Sequence, residues 1–89
     1  MRNLHYNLIF RAEPEGGFTV LVPALPGCVT YGKTLNEAKK MARDAIEAYI
    51  ESLEKHHERI PSDDTTFISS VQIRESSQTI PRKKTLVYA

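Results

Sequence analysis

With 89 residues, 26% of them charged and 40% hydrophobic, the chain has the balance of one small globular domain and is too short for two. Its formal charge of +1, from 12 Lys and Arg against 11 Asp and Glu, excludes a global electrostatic grip on nucleic acid, and its single cysteine excludes an internal disulfide. No apolar run reaches the roughly 20 residues of a membrane-spanning helix and no charged-then-apolar leader opens the chain, so a cytoplasmic location without a membrane partner is expected.

Leu4, Tyr6, Leu8, Phe10 and Ala12 alternate with His5, Asn7, Ile9, Arg11 and Glu13, the period of a first strand whose first set faces the core. Glu13-Pro14-Glu15-Gly16-Gly17 has the chemistry of a hairpin loop, and Phe18, Val20 and Val22 alternate with Thr19 and Leu21 in a second, antiparallel strand. Pro23 closes that strand because it brings no ladder donor. Leu25-Pro26-Gly27-Cys28 suits a type II turn, and Cys28 to Gly32 forms a short third strand.

Thr34-Leu35-Asn36-Glu37 fits a capping box: the Thr34 hydroxyl takes an orphan backbone N–H and Glu37 reaches back to the cap residue. From there Leu35, Ala38, Ala42, Ala45, Ile46, Tyr49 and Leu53 recur at helical spacing, predicting an amphipathic helix that fades between Lys55 and Glu58, ahead of Ile60-Pro61. Phe67, Ser69, Val71 and Ile73 then share one parity, which predicts a fourth strand. A meander followed by a right-handed helical crossover makes that strand parallel to the first. The expected fold is therefore α+β, with sheet order 3-2-1-4 and the helix on one face, leaving His5, Asn7, Ile9 and Arg11 on the other. Residues 1–75 form the domain, and 76–89 a basic tail or a short extra strand. A chain of this size buries only about 60–65% of its unfolded surface, so a homo-oligomer, dimer or higher, is expected.

Little in the chain points to catalysis. Cys28 lies six positions before Thr34, where the helix starts, but no histidine is placed beside it, and free cysteine is among the most buried residue types. His56-His57 and Asp63-Asp64 carry ligand atoms, yet adjacent side chains on a helix diverge and no second turn brings another ligand. The strands lack the paired carboxylates of a two-metal nuclease, and Gly16-Gly17 lacks the spacing of a phosphate-binding loop. No catalytic, metal or cofactor site is expected. Arg82-Lys83-Lys84 is the one basic cluster, a candidate contact for nucleic acid or an acidic partner, although a solvated tail is the commoner reading of so short a run and direct nucleic-acid binding is not the expectation.

Gly16-Gly17-Phe18, Val20, Val22-Pro23, Leu25-Pro26-Gly27-Cys28, Gly32, Thr34, Glu37-Ala38, Ala45-Ile46, Tyr49 and Ile60-Pro61, in that order, resemble the signature of the HicB antitoxin family. The resemblance covers Leu4 to Pro61. It implies a domain similar to a partial ribonuclease H fold, and a non-catalytic protein that binds and neutralises HicA, a small mRNA-cleaving toxin. Many family members carry a C-terminal DNA-binding domain, but the sixteen residues after Ile73 show no second amphipathic helix, so autoregulation through such a domain is not the expectation, and Ala24 and Lys33 stand where an acidic residue is common in the family. A HicA-type toxin is expected to be basic, which makes Asp44, Glu47 and Glu51 on the outer helix face candidate contacts. The polar sheet face with His5, Asn7 and Arg11 is the other candidate. Two rivals stand beside this reading: a HicB-like oligomeric regulator or scaffold without a toxin, and an enzyme related to ribonuclease H, which the shortage of strand carboxylates disfavours.

Overall fold

The computed structural model describes residues 3–76, in which the chain runs β1 (Ile9–Ala12), β2 (Phe18–Leu21), β3 (Val29–Gly32) and α1 (Leu35–Lys55). The strands form an antiparallel sheet in the order β1-β2-β3, so the fold is α+β. Phe10 lies opposite Val20 and Val20 opposite Thr30, while Ile9, Leu21 and Val29 form the next row. Because side chains alternate across a strand, the first row faces α1 and the second faces away from it.

Each connection closes through its own hydrogen bonds. In the β1–β2 loop the Gly16 N–H donates to the Glu13 carbonyl at 2.9 Å and the Glu13 N–H to the Gly17 carbonyl at 3.0 Å. In the β2–β3 connection the Cys28 N–H donates to the Leu25 carbonyl at 2.9 Å. Gly27 there takes φ +82°, as the third position of a type II turn demands. The Tyr49 hydroxyl donates to the Pro26 carbonyl at 2.8 Å, tying this turn to the helix.

The helix starts where expected, since Thr34 Oγ1 accepts from the Glu37 N–H at 3.0 Å. Glu37 departs from the expected box by one residue, because its carboxylate accepts from the N–H of Lys33 rather than that of Thr34. At the other end the Glu58 N–H donates to the Leu53 carbonyl at 2.8 Å and the His57 N–H to that of Glu54 at 3.1 Å, with His57 at φ +56°. These paired bonds around a left-handed residue form a Schellman cap, which stops the helix before proline is reached.

The core is thin and lies between sheet and helix. One cluster joins Val20, Ala38 and Ala42 with Leu8, Phe10 and Phe18. The other joins Val22, Leu25 and Cys28 with Tyr6, Leu8, Ala45, Ile46 and Tyr49. Alanines at the contact let the helix come close: a Cβ on Gly32 would lie 2.3 Å from the Ala38 nitrogen. The helix backbone runs close to β3 and β2 and stands farther from β1, which reaches the core through Phe10.

Three sequence expectations change. β1 begins at Ile9 rather than Leu4, and Leu4 is exposed, as is Ala12. Leu35, expected inward, is 53% exposed because it precedes the point at which the helix reaches the sheet at Ala38. The fourth strand is the largest difference: among the described residues no strand pairs beside β1, and Phe67, Val71 and Ile73 are 89%, 81% and 77% exposed. Bonds from Asn7 hold the chain at Asp63 and Thr66, and beyond them Phe67–Ile73 gains no apolar cover from its own domain. Of the expected tail or extra strand at 76–89, all but Ser76 lies outside the described residues. No helix among the described residues is long and apolar enough to cross a membrane.

Candidate protein-interaction surfaces

The face of the sheet turned away from α1 carries two rows of side chains set by the register. Ile9, Leu21 and Val29 form an apolar row, and Arg11, Thr19 and Tyr31 a polar one beside it. Ile9 is 41% exposed and Val29 54%, so the apolar row meets solvent at its two ends, on β1 and β3, with half-buried Leu21 between them. The polar row is internally braced. Tyr31 Oη donates to the Gly16 carbonyl at 3.0 Å, Arg11 Nε pairs with Glu13 Oε2 at 3.2 Å, and the Thr19 hydroxyl donates to the same carboxylate oxygen. The Thr19 bond, followed by that from Arg11, holds the Glu13 carboxyl below its ordinary value.

The residues expected on this face divide. Arg11 lies in the polar row, and His5 is exposed on the segment that precedes β1. Asn7 is engaged within the domain: its N–H donates to Asp63 Oδ2 at 2.8 Å, and its Nδ2 to Asp63 Oδ2 at 3.0 Å and to the Thr66 carbonyl at 3.1 Å. The β1–β2 ladder ends at the Ile9–Leu21 pair, and ahead of it the Asp63 carboxylate, rather than a strand carbonyl, accepts the Asn7 amide. The Tyr6 hydroxyl fastens the same segment by donating to the Pro61 carbonyl at 2.6 Å. Asp63 is the one buried charged residue among those described. The Asn7 N–H and then a bond from the Thr66 side chain hold its carboxyl below the usual range.

Asp44, Glu47 and Glu51 are exposed on α1, in the layer opposite the open sheet face. Beside them a groove of about 920 Å³ runs between α1 and the segment leading into β1. Leu4, Leu8, Ile46 and Ile50 supply its apolar lining, while Lys39, Lys40, Arg43, Asp44 and Glu47 supply charge. The groove lies where the helix stands clear of β1.

Cys28 is 7% exposed in the core, and burial pushes its thiol pKa up, the reverse of what a nucleophile requires. His56 Nδ1 lies 2.8 Å from the Ser52 carbonyl and His57 occupies the helix cap, so this pair serves the end of α1. No group of three or more His, Cys, Asp or Glu among the described residues is arranged to hold a metal ion. Gly16, Gly17, Pro23, Pro26, Gly27, Cys28, Gly32, Thr34 and Glu37 all fall in the turns, core contacts and cap described above. Arg82, Lys83 and Lys84 lie outside the described residues.

Sequence reading assigned Val29 and Tyr31 to no face and did not set Leu21 beside Ile9. Alternation alone cannot show that three outward positions on separate strands share a row. The signal was present in part, because Ile9 and Leu21 are apolar at positions that alternation assigns to the wetter face.

Relatives of this chain are found across archaea and bacteria. It is 48% identical over 66 residues to a UPF0150 protein of Thermoplasma acidophilum, covering 74% of this chain and 96% of that one. A UPF0150 protein of Synechocystis is 38% identical over 60 residues, covering 67% of this chain and 76% of that protein. Antitoxin HicB 1 of Photorhabdus laumondii is 34% identical over 61 residues, which are 68% of this chain and 39% of that longer protein. Residues 6–80 match the family described as HicB_like antitoxin of bacterial toxin-antitoxin system, and the chain, with its Pro26-Gly27-Cys28 turn and Thr34-capped helix, belongs to that family.

Proposed function

We propose that this protein is a non-catalytic antitoxin that binds and neutralises a HicA-type, mRNA-cleaving toxin in the cytoplasm. Its membership of the antitoxin family is the observation that carries this reading. The open sheet face is the surface best suited to hold such a partner. Ile9, Leu21 and Val29 offer contiguous apolar area on a rigid three-stranded support, and Arg11 and Tyr31 are the residue types that anchor interfaces. Asp44, Glu47 and Glu51 lie in the other layer and act at range, raising the rate at which a basic toxin arrives. Self-association is part of the same reading, since the core is small and much apolar surface stays exposed.

Co-expression with the neighbouring small toxin gene tests the proposal. Growth is restored in cells making both proteins, and the toxin is retained by the immobilised chain. A purified toxin that passes through unretained, while its gene still arrests growth in the presence of this chain, overturns it. A HicB-like regulator without a toxin is the alternative, and a genome with no small toxin gene beside this one would favour it.

A further inference from the structure

We propose that Phe67–Ile73 is an exchanged strand, which leaves its own domain and fills the groove beside β1 in a second copy of this chain. The inference deepens the self-association part of the reading above and does not depend on the toxin. Its first support is a strand without a place. Phe67, Val71 and Ile73 share one parity, are 89%, 81% and 77% exposed, and follow the anchor at Thr66 with no intervening residue. Three large apolar side chains of one parity are what a strand needs to cover a core, and here they cover nothing.

The second support is a place without a strand. The Glu13 N–H bonds across to Gly17, so alternation turns the backbone groups of Ile9 and Arg11 toward β2 and those of Phe10 and Ala12 toward the free edge. β1 therefore offers an unpaired ladder. The groove of about 920 Å³ lies between α1 and the segment leading into β1, where Leu8, Ile46 and Ile50 supply apolar lining beside charged helix residues. A strand laid along β1 would pair with the free edge through its backbone and turn Phe67, Val71 and Ile73 toward those three residues. Ile68, on the other parity, would lengthen the apolar row that starts at Ile9.

A second copy is the occupant because each chain carries both halves of the contact. Two chains related by a twofold axis each give a strand and receive one, which closes the assembly. Two exchanged seven-residue strands with their two grooves bury on the order of 1,500 Å², the size of a standard stable interface. An unmanaged apolar edge of this kind invites unspecific aggregation, and reciprocal exchange removes it.

The test uses the full chain. Light scattering of the wild type gives a dimer at micromolar concentration, and Ser70→Pro and Val71→Asp, both outside the packed domain, each give a monomer with unchanged helical circular dichroism. Mixing a Val71→Cys chain with an Ile50→Cys chain under oxidising conditions gives a disulfide-linked dimer of the two different chains. A monomeric wild type, or a dimer unaffected by Ser70→Pro and Val71→Asp, overturns the proposal. So does a disulfide that forms only inside the doubly substituted chain, which would show that the segment folds back on its own domain, and so does dimerisation only when the toxin is added. Toxin retention is read separately, so failure of exchange and failure of the antitoxin reading are distinguishable.

Discussion

Asp63 joins the two ends of the domain. It accepts from Asn7 across 56 positions of sequence, and those bonds keep its carboxyl below the ordinary value near 3.9. On acidification the unfolded chain therefore takes up this proton before the folded one does. The contribution of Asp63 to stability is complete above the ordinary carboxylate pKa and disappears as pH falls through the lower folded value. Glu13, shifted the same way by Thr19 and Arg11, adds to the trend. The urea midpoint is expected to stay level from pH 7 to about pH 5 and to fall below about pH 4. Asp63→Asn flattens part of that fall and lowers the midpoint at neutral pH, and an unchanged pH profile in this variant would contradict the role. The contact was not legible in the sequence. Asp63 read as one of a carboxylate pair set aside as metal ligands and Asn7 as a residue of the polar sheet face, and only the folded chain brings the Asn7 amide to the Asp63 carboxylate.

Local chemistry made the elements legible where it acts within a few residues. The Thr34 cap, the Pro26-Gly27 turn and the glycine-bearing hairpin each rest on conformational preferences that neighbours do not override, and all three are where the sequence places them. The helix end is a similar case with an imperfect residue. His57 holds a left-handed conformation that costs a residue with a Cβ roughly 1 kcal/mol relative to glycine. His57→Gly is expected to stabilise the protein by up to about 1 kcal/mol, read as a raised urea midpoint with unchanged slope. A lowered midpoint would mean that the imidazole has a role beyond the cap. Phe67–Ile73 forms no strand among the described residues, and the reason is the opposite one: alternation marks a segment that could pair, but a strand exists only when an edge receives it. Sequence parity is silent on which chain owns that edge.

On the scale of the whole molecule, the two layers separate two ways of meeting a partner. The sheet layer presents the Ile9, Leu21 and Val29 row, and the helix layer presents Asp44, Glu47 and Glu51 on the far side. Contact area and steering charge therefore lie on opposite faces, with a helix and a sheet between them, and at physiological salt the Debye length is only about 8 Å. Substitutions in the two layers should accordingly affect different kinetic constants. Val29→Asp places a charge in the centre of the apolar row and should weaken toxin binding by at least about tenfold, mainly through faster dissociation. Neutralising the carboxylates with Asp44→Asn and Glu47→Gln should leave dissociation unchanged and slow association a few-fold at low salt, an effect that disappears near 0.15 M. Surface plasmon resonance across a salt series separates the two outcomes. If instead the helix variants accelerate dissociation and Val29→Asp does not, the toxin sits on the helix, and the open sheet face is left for another partner.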